Sequence, residues 1–232
     1  MHQYHIIGSS SKIAIALYNN LKSKNYAHCY RYSSKKNDAN QIDNFFDMDL
    51  NKSTIIYFSH ITDSLKKNLA LLNKTTSYCK KFDCKFIYIS SINAKFPEAS
   101  YYSLTKEKCE LIVKKNNFYI VRLGLVVSKS PFGPYLSLIN LRKLPIQLIF
   151  PSKSYIYFTN IESFLALDLN NLKLLNEIYD SKIKINDYFD SQTNKKIKIN
   201  LTYLIQILRL INLIYSLKGV TGRLLTFSGV TK

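Results

Sequence analysis

Arginine is scarce in this chain. Only five of its 33 cationic side chains are arginine, against 15 carboxylates, and the formal net charge is +18. The lysines are dispersed and no nucleic-acid-binding module accompanies them, so the charge makes no focused nucleic-acid footprint. It reads mainly as a solvated lysine coat, in a chain whose abundance of Lys, Asn and Ile has the look of an AT-rich coding bias. Attraction to anionic ligands or surfaces is the functional share of that charge. Cysteine is also sparse. Cys29, Cys79, Cys84 and Cys109 form no Cys-x-x-Cys pair and no His cluster stands beside them, which excludes a zinc site and leaves reduced, mostly core thiols. No apolar run reaches spanning length without interruption. The opening "MHQYHIIGSSS" lacks a basic segment followed by a long apolar one, so no signal peptide is expected and the cytoplasm is the expected compartment. There is no internal repeat and no long low-complexity tract.

What remains is a globular composition. The chain has 232 residues, 47% of them hydrophobic and 13% aromatic, enough for one domain with a substantial core or one domain and a small appendage. "YHII" (4–7) reads as a short buried strand ended by Gly8. Residues 12–24 place Ile13, Ala14, Ala16, Leu17 and Leu21 at helical spacing, and 26–32 return to a strand pattern. The chain therefore opens β–turn–α–β. The turn "GSSSKIA" aims backbone N–H groups and the positive end of a helix dipole at a ligand, through Gly8, Ser10, Ser11, Lys12 and Ile13. A dinucleotide fingerprint wants three small residues here. Gly8 fits the first, Ser11 stands in place of a second glycine and Ala14 in place of the third. An ordinary strand-to-helix turn would look much the same.

No acid occurs between residues 9 and 37, so no carboxylate awaits an adenosine ribose at the end of the second strand. Arg31, with Lys35 and Lys36 after it, suits a 2′-phosphate, hence NADP in preference to NAD. A solvated basic loop is the plainer alternative. The alternation continues with strand 53–61, helix 64–80, strand 85–92, helix 103–115 and strand 118–127. That order predicts an α/β fold with a Rossmann-like, doubly wound and mainly parallel sheet. Ligands of such sheets sit beyond the strands' carboxyl ends, where Gly8, Ser59, Ser90, Ser91 and Gly124 fall. Residues 1–130 are read as the dinucleotide-binding domain and 131–232 as a reduced substrate-binding region with C-terminal helices.

In "YYSLTKEKCE", Tyr102 and Lys106 stand four apart near a helix start and share one face. A cation beside a phenol favours the phenolate, so a lowered tyrosine pKa and general acid/base work are expected. Ser91, ending the preceding strand, is placed to hold the same substrate oxygen.

"ISSINA", "YYSLTKEKCE" and "IVRLGLVV", in this order, resemble the extended short-chain dehydrogenase/reductases, the nucleotide-sugar epimerase/dehydratase group. The resemblance runs through residues 4–127 and more faintly through 155–169. It implies Tyr102 as catalytic acid/base, Lys106 on the nicotinamide ribose, Ser91 as the substrate-orienting hydroxyl, and Asp47 or Asp49 as an adenine contact. It implies an NAD(P)-dependent keto-sugar reductase or epimerase in surface polysaccharide biosynthesis, with a nucleotide sugar as substrate. Ile92 and Asn93 stand after Ser91 where a 4,6-dehydratase needs an acidic pair. The altered glycine turn and short second half support the alternative, a non-catalytic dinucleotide-fold protein acting as a binding or assembly partner.

The second half is read more coarsely. Residues 128–154, with four of the five prolines, are expected to be irregular, 160–176 helical, and 181–200 polar with little pattern. "LTYLIQILRLINLIYSLKG" (201–219) reads as an apolar helix for the core or a homodimer. The alternative is an interfacial helix at the inner face of a membrane.

Overall fold

A computed structural model describes residues 3–24, 28–33, 40–61, 64–143, 146–152, 154–190, 197–201 and 204. Lys35, Lys36 and nearly all of the helix expected at 201–219 lie outside the described residues.

The chain divides into two compact units, the first made of Met1–Ser90, Lys108–Arg122 and Leu165–Glu177, the second of Ser91–Glu107, Leu123–Phe164 and Ile178–Lys232. The first unit is built on a seven-stranded sheet. Its strands are β1 (Gln3–Ile7), β2 (His28–Ser33), β3 (Asn40–Gln41), β4 (Ser53–Tyr57), β5 (Lys85–Ser91), β6 (Tyr119–Leu123) and β10 (Leu175–Ile178). They lie in the order β10-β6-β5-β4-β1-β2-β3. β1 pairs in parallel with both β2 and β4, β2 with β3, and β4 with β5. The order reverses between β1 and β4, which makes that crevice the topological switch point of a Rossmann-like sheet.

The helices explain themselves locally. α1 (Lys12–Ser23) buries Ala14, Leu17 and Leu21, a stripe at helical spacing, and Ser11 caps its start. α2 (Ile42–Phe45) is a single turn that buries Phe45. α3 (Leu65–Lys81) begins at Ser64, whose hydroxyl accepts from the Lys67 N–H at 3.1 Å. α4 (Tyr101–Lys115) starts two residues before the expected helix, which puts Tyr102 in its first turn. α3 and α4 end alike, with Asp83 (φ 48°) and Asn117 (φ 54°) in the left-handed region. Cys84 N–H donates to Cys79 C=O and Phe118 N–H to Val113 C=O, at 3.0 and 3.1 Å. These are Schellman caps, whose apolar flanking contact here joins Cys79 with Cys84 and Val113 with Phe118. All four cysteines are free thiols, and Cys79, Cys84 and Cys109 are buried. The core of this unit includes Tyr32, Phe45, Ile55, Tyr57, Leu72, Phe86 and Tyr88.

The second unit holds β7 (Leu125–Val127), α5 (Gly133–Arg142), β8 (Ile146–Ile149), β9 (Tyr155–Asn160), α6 (Ile161–Leu165), β11 (Ser181–Lys184), α7 (Ile185–Asp190) and β12 (Ile197–Asn200). β9 lies between β7, parallel to it, and β11, antiparallel, while β8 and β12 form a separate parallel pair. Leu138, Phe150, Ile156, Phe158, Ile185, Phe189 and Leu201 make its core.

Several expectations are corrected. The strand read at 118–127 is two strands broken at Gly124. A Cβ there would lie 2.5 Å from the Tyr157 carbonyl oxygen, so β9 passes close against the break. The segment 128–154 is not irregular but carries α5 and β8, because Pro134 sits in the first turn of α5, where its missing N–H costs nothing. The helix read at 160–176 stops at Leu165, and residues 175–178 form β10 at the sheet edge. The polar stretch 181–200 contains β11, α7 and β12, strands formed by pairing that its composition does not announce. Strand 53–61 ends at Tyr57, with Phe58 N–H donating to the Ile7 carbonyl at 2.8 Å.

Candidate functional site

The turn after β1 is shaped by Gly8. Its φ is +79°, and a Cβ would stand 2.4 Å from Ser59 N and 2.5 Å from Ser59 Cα. Only glycine lets the loops after β1 and β4 approach this closely. The N–H groups of Gly8 and Ser9 both donate to the Tyr32 carbonyl at 3.0 and 3.1 Å, and the Ser9 hydroxyl donates to it at 3.1 Å. The ends of β1, β2 and β4 are thus stitched together. Ser10, Ser11 and Lys12 are exposed at the start of α1 and Ile13 is half-buried. Ser11 does more than replace a glycine. Its oxygen accepts from the Ala14 N–H at 3.2 Å, and its own O–H remains a donor. This turn fits a pyrophosphate: glycine at the tight crossing, exposed small residues, and the positive end of a 12-residue helix.

The other residues expected to contact a dinucleotide are less uniform. Ser59 lies just past β4, and its hydroxyl bonds the Tyr57 phenol. Arg31 does not sit at a strand end. It lies inside β2 opposite Ile6, and its guanidinium stacks 4.7 Å from the centroid of the Tyr18 ring on α1. The strand continues to Ser33, so the residue that closes it is a buried serine rather than a cation. Asp47 is exposed in the turn after α2, whereas the Asp49 carboxylate accepts the Asn51 N–H at 3.1 Å within its own turn.

Tyr102, Lys106 and Ser91 come together in the second unit. Ser91 ends β5 and caps the following 3-10 turn, its hydroxyl accepting from the Asn93 N–H at 3.3 Å. The same side chain hydrogen-bonds Tyr102. Lys106 Nζ stands 5.9 Å from the centroid of the Tyr102 ring, at the outer reach of a cation–π contact, and Lys106 is only 4% exposed. The expected lowering of the phenol pKa is overturned. Burial pushes Tyr102 up to about 12, and the hydrogen bond from Ser91 only partly opposes that. Desolvation outweighs the Ser91 hydrogen bond because the phenolate loses its water on burial. At neutral pH the Tyr102 phenol is therefore protonated. Neighbouring Tyr101 is half-buried and receives the Thr105 hydroxyl on its carbonyl.

Sequence reasoning missed a buried ion cluster in the first unit. Arg122 on β6 grips Glu110 on α4 with two bonds, Nε to Oε1 at 2.9 Å and Nη2 to Oε2 at 2.6 Å, and reaches Glu177 on β10 through Nη1 at 2.8 Å. Ser90 Oγ donates to Glu110 Oε1 at 2.7 Å. The signal was an arginine inside the otherwise apolar strand "YIVRL", which demands a carboxylate partner when buried. Among the described residues no group of three or more His, Cys, Asp or Glu side chains could hold a metal ion, and no helix is long and apolar enough to cross a membrane.

No protein-family model and no curated protein matches this chain. Solved structures do share its fold. A nucleoside-diphosphate-sugar epimerase from Staphylococcus aureus aligns over 98% of this chain and 89% of its own, with TM-score 0.69 and 13% identity. The UDP-glucuronic acid 4-epimerase from Bacillus cereus, solved with UDP-glucuronic acid and NAD, aligns over 98% of both chains, with TM-score 0.60 and 14% identity. An L-threonine dehydrogenase from Phytophthora infestans aligns over 89% of this chain and 87% of its own, with TM-score 0.63 and 13% identity. At these identities the likeness is one of fold, and it is the Rossmann-like α/β fold.

Proposed function

We propose that this protein is an NAD(P)-dependent oxidoreductase or epimerase of the short-chain dehydrogenase/reductase type, acting on a nucleotide-activated sugar. The observation that carries the reading is the Ser91–Tyr102 hydrogen bond beside buried Lys106, in a chain whose first turn is built like a pyrophosphate cradle. Nucleotide-sugar reductase and epimerase structures with this fold support the substrate class. The dinucleotide supplies the hydride. The chain's own part is proton transfer and orientation. Tyr102, protonated at neutral pH, donates its phenolic proton to a substrate carbonyl oxygen that Ser91 holds by hydrogen bond. Lys106 stabilises the phenolate left behind and, by the family resemblance, binds a ribose hydroxyl. A phenol that rests protonated at neutral pH has the proton that reduction of a carbonyl needs, which fits a keto sugar as substrate. Gly8, Ser10, Ser11, Lys12, Ile13 and Ser59 form the proposed cofactor cradle. NADP(H) is preferred, on the ground that no carboxylate stands between residues 9 and 37 to take a ribose 2′-hydroxyl.

The test is a titration of the purified protein with NADH and NADPH, followed by tyrosine-sensitised nucleotide fluorescence and by native mass spectrometry. Saturable binding with NADPH tighter than NADH is expected. Tighter NADH binding removes the cofactor preference. Binding of neither removes the enzyme reading and leaves the non-catalytic dinucleotide-fold protein.

A further inference from the structure

We propose that the buried cluster Ser90–Glu110–Arg122–Glu177 is the positioning device of the Ser91–Tyr102–Lys106 set, with Ser90 and Glu110 as its positioning residues. This deepens the function proposed above and rests on it.

Tyr102, Lys106 and Glu110 stand at i, i+4 and i+8 on α4, so they follow one side of the helix with about 40° of drift per step. Ser90 is the residue before Ser91 in β5. One contact, the Ser90 hydroxyl on Glu110 Oε1 at 2.7 Å, therefore ties the strand that carries Ser91 to the helix that carries Tyr102 and Lys106. Fixing the Ser90 side chain also fixes the rotation of the strand's last peptide, and with it the direction of Ser91.

Glu110 can serve as that anchor because both of its carboxylate oxygens are bonded. It is 1% exposed and Arg122 holds it through two parallel bonds. Arg122 is 8% exposed and is held in turn by Glu177 on the next strand. The planar guanidinium sets the orientation of the Glu110 carboxylate, a constraint that a lone lysine would not impose. Lys114 Nζ, 3.8 Å from Glu110 Oε2 and half-exposed, adds charge but no comparable geometry. Two adjacent strands, β5 through Ser90 and β6 through Arg122, thus meet on the α4 carboxylate of Glu110, and β10 joins through Glu177 on the Arg122 guanidinium. A purely apolar junction would pack these elements equally well and leave the rotation of Ser90 free.

The test reads the geometry at Tyr102 without turnover. 3-Fluorotyrosine is placed at position 102, and its 19F resonance is titrated with pH in the full chain and in the Ser90→Ala, Ser90→Thr, Glu110→Gln and Ser91→Ala variants. Ser91→Ala is the calibration, because the Ser91 bond opposes the upward push of burial. If the cluster positions Ser91, Ser90→Ala moves the titration to higher pH in the same direction as Ser91→Ala, and Ser90→Thr, which keeps the hydroxyl, restores it. In an activity assay Ser90→Ala then lowers kcat by about 10- to 100-fold with the KM for dinucleotide unchanged, the scale of a slight misplacement of reacting groups. Glu110→Gln is a stronger form of the same test. Ser90→Ala carries the conclusion if Glu110→Gln does not fold. A Ser90→Ala titration identical to that of the parent, with Ser91→Ala shifted, overturns the positioning role and leaves the site reading standing. No shift in Ser91→Ala removes the Ser91–Tyr102 pair itself, and the positioning role falls with it. Dinucleotide binding is measured separately, so its failure is distinguishable from either result.

Discussion

Acidification should destabilise the first unit through one histidine. His5 lies at the middle of β1 with no exposed surface, stacked on Tyr30 and Tyr32 at centroid distances of 5.1 and 5.8 Å and edge-on to Phe45 at 6.0 Å. Its Nδ1 is 3.1 Å from the Tyr32 hydroxyl and its Nε2 is 3.2 Å from Gln3 Oε1. A neutral ring that donates from Nε2 and accepts at Nδ1 satisfies both bonds, whereas a protonated ring has no acceptor left for the tyrosine O–H. Burial lowers the His5 pKa from 6.5 to about 4. The folded state therefore binds this proton less readily than the unfolded chain. His5 contributes nothing to the pH dependence well above pH 6.5, where both states are neutral, and stability falls as pH drops through about 6.5 towards 4. The linkage relation puts the loss at about 2 kcal/mol at pH 5 and about 3 kcal/mol at pH 4. Asp180 acts in a different window. Hydrogen bonds from the Ser163 hydroxyl and the Asn160 N–H hold its pKa below 3.8, so its contribution persists above that value and is lost only in stronger acid. The assay is urea unfolding followed by far-UV circular dichroism at pH 7, 6, 5 and 4, in the parent and in His5→Phe. The phenylalanine keeps the ring stack but leaves the Tyr32 hydroxyl and Gln3 unpaired, so it starts about 1–3 kcal/mol less stable at pH 7. It should then lose much less between pH 7 and 4 than the parent. Equal slopes for the two proteins would show that His5 is not the source of the acid sensitivity.

Tyr102→Phe should lower the kcat for keto-sugar reduction by about two to four orders of magnitude while dinucleotide affinity in the NADPH titration stays the same, and Tyr101→Phe should leave both nearly intact. Gly8→Ala forces a side chain into the Ser59 backbone at a positive φ, so urea midpoints should report a loss of roughly 2–4 kcal/mol and the titration should show no dinucleotide binding. Arg122→Met leaves Glu110 and Glu177 as buried or half-buried carboxylates without their cation. A loss of about 3–5 kcal/mol is expected by urea unfolding at pH 7, shrinking at acidic pH as the carboxylates take up protons.

By itself the sequence determined the part of the fold that is written in short-range patterns. The apolar runs at β1, β4, β5 and β6 and the helical stripe of α1 announce themselves, because burial on both faces of a parallel strand and on one face of a helix selects residue types directly. The Tyr102/Lys106 spacing and the serine at the end of β5 were legible for the same reason, since helical periodicity and strand ends are local. Tertiary structure decided the rest. Whether the polar residues 175–200 become strands depends on a partner edge that lies far away in sequence, and composition does not carry that information. The break at Gly124 arises from the passage of β9, and the role of Arg31 from the Tyr18 ring that happens to lie beneath it. The sign of the Tyr102 pKa shift was the deepest of these. Spacing puts a cation on the same helix face and argues for a lower value, but the value is settled by how much protein surrounds the phenol, and burial there is the stronger force.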